Sequence, residues 1–421
     1  MMFPGLVLLI GALGAPADDA TLARLVWDKS PELQAARARI AQTRADLERA
    51  RLLPNPGLDV SYNTIPVGPH NPTSETFFNI PNLQVGVSEL VELGKRGPRQ
   101  DAAEQLWRAA RLDAVEQLRE RFFDVKEIYA DVATAQARIA SFSQLVEGAT
   151  RLRELEEART VNGETSSLDL DRARVEEEKL RSSLAEEKER LRAALRSCTL
   201  ALADTCEPFP DAASASQFLA TLLAAQSPGD GIEQRPDLAS LDAQAKAARF
   251  SQTLAQRRAI PDLTVRFGYV KDWFVISGNQ PNSLFVGVSV PLPVFDHGQH
   301  DAQAAAVLAE SAERARGLLI DASRQGLAGI TQELAAFNER LTRLRGTTIP
   351  LARKIVERLE QAVGRGAAPL QDLIIARRTL EELSIDALDL EFDTFKLTVT
   401  RGRLAGSVPP LPDDLHAENT P

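Results

Sequence analysis

This chain is poor in the side chains that hold soft metals, stack on ligands or anchor cofactors. Its 421 residues include four histidines, two cysteines and two methionines, and only 5% are aromatic. Both methionines, Met1 and Met2, stand at the start, so the remainder has no thioether ligand for a soft metal ion. No apolar run reaches the roughly 18–20 residues that a membrane-crossing helix needs. Positive charge is not in excess either. Forty-nine basic residues face 59 acidic ones, a net charge of −10 that argues against a nucleic-acid partner. Long stretches are filled instead by Ala, Leu, Arg and Glu, the composition of long helices and coiled coils.

The concentrated apolar stretch at residues 3–13 is followed by Ala15-Pro16-Ala17, a small-residue cleavage pattern. Residues 1–17 therefore read as a signal peptide, with Asp18 first after the cut. Cys198 and Cys206 lie eight apart and could close a local disulfide in an oxidising compartment. Neither stands at the cut, so N-terminal lipidation has no acceptor thiol there.

The sequence is written twice. Pro31-Glu32-Leu33 returns as Pro236-Asp237-Leu238, and Val85-Gly86-Val87-Ser88 returns as Val286-Gly287-Val288-Ser289. Gly163, Asp169-Leu170 and Ala173-Arg174 return as Gly366, Asp372-Leu373 and Ala376-Arg377. A period of about 200 residues is too long for a solenoid unit, so a domain-sized block is duplicated. The first repeat is expected over 18–200, the second over 234–405, with a connector at 201–233 and a disordered tail at 406–421.

Within each repeat the periodicity changes in the same order. Residues 18–52 have helical spacing and end at Pro54-Asn55-Pro56. Alternation by two follows: Leu58, Val60 and Tyr62 against Asp59, Ser61 and Asn63, then Leu83, Val85 and Val87 against Gln84, Gly86 and Ser88. The second repeat alternates likewise over 263–269 and 284–290, except that Phe285 is apolar on the polar side. A proline-free helical stretch then covers 99–161, and its counterpart over 299–364 is expected to kink near Gly346 and Pro350. Turns at Val161-Asn162-Gly163 and Gly364-Arg365-Gly366 lead into further helices over 165–200 and 370–404. Two shorter helices laid end to end match the long one, which suggests an antiparallel helical column with a hairpin at one end.

Alternating apolar and small polar residues over barrel-strand lengths suit a wall between lipid and water. Two lone hairpins would leave open edges in lipid, so copies of the chain would have to pair them. The alternative is a half-buried sheet packed on its own helices. A second reading of function is a soluble periplasmic coiled-coil scaffold whose strand pairs form a small dimerisation sheet, or an adaptor-like interaction protein without a pore.

Several motifs resemble a known family. Ser30-Pro31-Glu32-Leu33, Leu53-Pro54-Asn55-Pro56, Val91-Glu92-Leu93-Gly94-Lys95-Arg96, Arg235-Pro236-Asp237-Leu238, Ile260-Pro261-Asp262-Leu263 and Pro291-Leu292-Pro293-Val294-Phe295-Asp296 look like the TolC family of outer-membrane efflux proteins. The Glu-Leu-Gly-Lys-Arg segment is similar to its heavy-metal branch, the cobalt–zinc–cadmium (CzcC) type. The resemblance implies a mainly α, internally duplicated fold: a long α-helical coiled-coil barrel plus four β-strands per chain, completed as a twelve-stranded membrane β-barrel in a homotrimer. It also implies a passive efflux duct in the outer membrane of a Gram-negative bacterium, with most of the chain in the periplasm. Its partners would be outer-membrane lipid, a periplasmic adaptor (membrane fusion) protein and an inner-membrane RND-type pump, with heavy-metal cations as cargo.

No catalytic constellation stands out, no cofactor is implied, and the reading is not that of an enzyme. His297-x-x-His300 lacks a third ligand at a recognisable spacing for a zinc hydrolase. His70 falls in a Pro/Asn-rich loop and His416 in the tail. The family resemblance places the helical turns at the periplasmic entrance, where Gly163, Thr165, Gly366 and Ala368 are candidate adaptor contacts. Asp372 and Asp169 are candidates for carboxylate rings at the closed aperture; the competing reading is that each caps a helix. Gly94, Gly97, Pro98 and Gly298 sit where strand gives way to helix and read as structural hinges.

Overall fold

A computed structural model describes residues 19–63, 67, 69, 70, 82–224, 231–272 and 281–416. The expected signal peptide, most of the loop after the first strand and the last five residues lie outside the described residues. Two compact units result, one from residues 38–112 and 239–317, the other from residues up to 37, 113–238 and 318 onward. Each unit takes material from both sequence repeats, so the duplication runs across the units and does not coincide with them.

The first unit is organised by a four-stranded antiparallel sheet in the order β1-β2-β3-β4: Gly57–Asn63, Asn82–Val91, Leu263–Asp272 and Asn282–Ser289. Partners across an antiparallel ladder share a face. The register therefore aligns Leu58, Val87, Phe267 and Val286 in one row and Val60, Val85, Tyr269 and Leu284 in the next. The other face carries Ser61, Gln84, Val270 and Ser283, and Gly57, Ser88, Arg266 and Gly287. One face is apolar and the other mostly small or polar. The apolar face is open: Val286 is 73% exposed, and Leu58, Val60, Phe267, Leu284 and Val288 are also exposed. The sheet is thus not packed on the chain's own helices, which removes the half-buried alternative.

Phe285, the exception in the alternation, has a cross-strand cause. Asp59, Gly86, Gly268 and Phe285 form one row on the polar face. A Cβ on Gly268 would lie 2.5 Å from the Phe285 ring and from the Val85 carbonyl oxygen. The two glycines leave a shallow bed on which the ring lies along the wall.

Helices flank the strands: α1 (Asp19–Lys29), α2 (Pro31–Arg51), α3 (Arg96–Val161), α4 (Ser167–Leu202), α5 (Ala212–Ala224), α6 (Pro236–Gln256), α7 (Gln299–Arg343), α8 (Ile349–Gly364), α9 (Leu370–Ala405) and α10 (Asp413–His416). The helix expected over 18–52 is broken at Ser30, because Pro31 has no N–H to continue the ladder. The expected kink between α7 and α8 is a π-helical segment, Leu344–Thr348. At the sheet end of α2, Arg96 donates to the Arg51 carbonyl (3.0 Å), and Arg99 to those of Ala50 (3.2 Å) and Leu52 (3.3 Å). Cations thus satisfy orphan carbonyls at a helix C-terminus.

In the second unit, Leu152, Ala173, Val356, Val363, Leu370 and Leu373 make one buried cluster. It joins the ends of α3 and α8 to the starts of α4 and α9, so the turns of both repeats share a core. The described part of the connector is folded. Cys198 and Cys206 are disulfide-bonded with Cα atoms 5.9 Å apart, and α5 lies within the connector. Gln136 clamps the Phe209 backbone twice, donating to its oxygen (3.0 Å) and accepting from its nitrogen (2.8 Å). The C-terminal segment is also packed through α10, with Pro409, Pro412 and Leu415 buried, and is not disordered there as expected.

Gly268→Ala tests the row of small residues. Its methyl group meets two backbone atoms and the ring, so a loss of about 1–3 kcal/mol in the stability of the sheet is expected. Adding Phe285→Ala should restore only part of that loss, because the Val85 carbonyl still blocks the methyl group. Urea titration in detergent micelles checks this; full recovery in the double variant would contradict the backbone clash.

Candidate functional site

Two features could do chemical work: the two-faced sheet and the paired helical turns. At the sheet, the apolar face offers lipid-compatible surface, and the polar face carries Asp59, Arg266, Ser61, Ser88 and Gln84 along what a closed barrel would enclose. β1 and β4 are the sheet's edges. Among the described residues no helix is long and apolar enough to cross a membrane.

Where strand gives way to helix, Gly94 (φ 69°) and Gly298 (φ 84°) have left-handed backbone. A Cβ on Gly298 would strike the Ala255 carbonyl, so this position excludes a side chain on space as well as angle. Gly97 and Pro98 differ from expectation. Both lie in the first turn of α3 with ordinary helical backbone, where proline's missing N–H costs nothing. Between these junctions Lys95 pairs with Asp262 (2.7 Å), which also accepts from the Leu93 nitrogen (3.0 Å).

The two turns are built alike. Gly163 has φ 74° and Gly366 φ 69°. The Glu164 nitrogen donates to the Arg159 carbonyl (2.8 Å) and that of Gly163 to Thr160 (3.0 Å); Ala367 to Ala362 (2.8 Å) and Gly366 to Val363 (3.0 Å) repeat the pattern. Both are Schellman motifs closing a long helix. Thr165 and Ala368 occupy equivalent half-buried positions, Thr165 donating to the Asp169 carboxylate (3.4 Å) and Ala368 packing on the shared core.

The two aspartates are not alike. Ser166 caps α4, accepting from the Asp169 nitrogen (3.3 Å) and donating to its carboxylate (2.8 Å), and Arg172 pairs with the same carboxylate (3.1 Å). Asp169 is therefore held in a reciprocal cap. At α9 the cap is Pro369, which offers no side-chain partner. Asp372 is exposed and has no side-chain hydrogen bond or ion pair among the described residues. The sequence reading missed two exposed apolar residues beside the first turn, Val161 (83% exposed) and Leu168. The helical frame around Gly163 carries that signal.

Burial and charge tune the helices above the turns. Glu381 of α9 is buried, and burial holds its carboxyl above the ordinary range, with Glu176 and Glu382 adding to the shift against Lys179 and Arg378. Burial pushes Glu177 the same way. Hydrogen bonds from Thr150 (2.7 Å) and Arg153 (2.6 Å), with Arg181, outweigh it and hold that carboxyl low. His297 and His300 are exposed at the start of α7, and no group of three or more His, Cys, Asp or Glu among the described residues could hold a metal ion.

Residues 22–203 match the family described as outer membrane efflux protein. The cobalt-zinc-cadmium resistance protein CzcC of Cupriavidus metallidurans is 25% identical over 381 residues, covering 89% of this chain and 86% of that protein. Among solved structures, CusC superposes with a TM-score of 0.74 at 16% identity, covering 96% of this chain and 97% of its own. VceC of Vibrio cholerae gives 0.71 at 16% identity, covering 91% and 95%. These likenesses show the fold: a mostly helical chain with four antiparallel strands, as in CusC and VceC. Over residues 22–203 the chain is thus similar to outer membrane efflux proteins, and over nearly its whole length it shares the fold of CusC and VceC.

At the turns, nothing lies within 4 Å of a Cβ added to Gly163 or Gly366. Alanine at either position is thus penalised by backbone angle alone, by about 1–2 kcal/mol, and asparagine by less. Chemical denaturation of the single variants checks the order; equal losses for Ala and Asn would contradict it.

Proposed function

We propose that this protein is the outer-membrane exit duct of a tripartite efflux system, conducting cargo passively from the periplasm to the exterior. The observation that carries the reading is the four-stranded sheet with an exposed apolar face, a polar face and an edge strand on either side. Such a sheet in lipid must close, since unpaired backbone groups in the bilayer core cost several kcal/mol each. Three copies close it as one twelve-stranded barrel around the polar faces. The homotrimer receives cargo from a periplasmic adaptor and an inner-membrane RND-type pump, and touches outer-membrane lipid with its apolar face.

The cargo is heavy-metal cations, a reading supported by likeness to a protein named for cobalt, zinc and cadmium resistance. The channel passes them without a fixed binding site; the rest of the chain after Met2 has no thioether ligand. At the periplasmic end the turns of Gly163 and Gly366, with Thr165 and Ala368, form the surface the adaptor meets. Asp372 of each copy contributes to a carboxylate ring at the aperture, and Asp169, engaged by Ser166 and Arg172, serves mainly as a cap. Gly94 and Gly298 turn the chain from tilted strand to helix.

In planar bilayers the purified protein should form cation-preferring channels. Asp372→Asn should reduce that preference and weaken block by trivalent cations from the periplasmic side, while Asp169→Asn should change stability and leave selectivity alone. Unchanged selectivity and block in Asp372→Asn would remove the aperture assignment and leave the duct. Release of the protein from membranes by a carbonate wash, with no conductance, would remove the duct itself.

A further inference from the structure

Both edges of the sheet continue into apolar surface. Beyond β4, residues 291–295 carry Leu292, Val294 and Phe295, all exposed, with Phe295 at 92%. Ahead of β1 lies a hollow of about 600 Å³ whose apolar wall includes Leu52, Leu53, Pro54, Ala102, Ala103 and Leu106, with Asp46, Arg49, Asn55 and Arg99 also lining it. Leu52, Leu53 and Leu106 are exposed there, while Ala102 forms a buried floor. Apolar side chains left exposed at both edges of one sheet are surface suited to contact between copies.

Strand polarity says where the occupant comes from. All neighbours in the sheet are antiparallel and the strand number is even, so β4 of one copy meets β1 of the next in antiparallel pairing. The carboxyl end of β4 then lies beside the amino end of β1 in the neighbour. The residues that follow β4 and those that precede β1 are brought together by the pairing that closes the barrel.

Resting on the trimer reading above, we infer that Phe295 of each copy seats in the Leu52–Leu53–Leu106 hollow of the next, an apolar latch just below the closed seam. Burying a phenylalanine of this exposure removes a large apolar area from water at a point where no backbone pairing reaches. The latch holds the seam by side chains where the ladder ends. Its apolar rows also leave the polar face of the sheet uninvolved.

The native cysteines are joined to each other, so introduced thiols are the reactive ones. Full-length Phe295→Cys/Leu53→Cys and Phe295→Cys/Leu106→Cys proteins are purified in mild detergent, their mass is measured, and they are treated with a short bismaleimide. Dimer and trimer bands on denaturing gels are expected from the double variants, and monomer from each single variant. Phe295→Ser should lower the temperature at which the trimer dissociates. A trimeric mass with monomer bands in both double variants would overturn the latch and leave the trimer standing, as would a Phe295→Ser trimer as heat-resistant as the parent. A monomeric mass would overturn both.

Discussion

With the sheet placed in lipid as proposed, the requirement that every backbone donor and acceptor there be paired governs this molecule. Four antiparallel strands satisfy their inner ladders and leave β1 and β4 with outward-facing edges. The apolar rows from Leu58 to Val286 cannot face water in that number without driving association. Pairing of copies edge to edge resolves both problems at once. Sheet composition, the glycines of the Phe285 row and the apolar residues beyond the edges are consistent with that solution.

Away from the membrane the constraint is different. The helices combine buried apolar clusters with charges paired across helices. Arg378 reaches Glu176 (2.8 Å), and Arg403 reaches Glu120 (3.0 Å) and Asp124 (2.7 Å). Burial raises Glu120 and Glu127 even with Arg403 beside them, so these carboxylates oppose folding at neutral pH and cease to do so as pH falls through their raised range. Glu177, held low, has the opposite sign: its contribution is present at neutral pH and is lost in acid. Helical surfaces built this way can be polar on both sides, as a water-filled conduit requires, without losing their fold.

Strands and turns were legible because they rest on local signals: alternation by two, and glycine where a helix must end left-handed. The break at Ser30 was also written in the chain, by Pro31. Features set by distant partners were not. Phe285 reads as a violation until β2 and β3 bring Gly86 and Gly268 beneath it. The fold of the connector depends on Gln136, more than seventy residues from Phe209, and on a disulfide whose closure spacing alone leaves open. The difference between Asp169 and Asp372 was readable, since Ser166 three residues ahead of one becomes Pro369 ahead of the other. Gly97 shows the converse error, a glycine taken for a hinge that sits inside a helix.

The central claim is that the two faces of the sheet meet lipid and water respectively. Single cysteines at Val60 and Val286 on one face, and at Ser61 and Gly287 on the other, can be labelled with a small fluorophore in protein reconstituted into vesicles. Lipids with brominated chains should quench the labels at Val60 and Val286, while aqueous iodide should quench those at Ser61 and Gly287. Equal quenching of all four by iodide, with none by brominated lipid, would contradict the account.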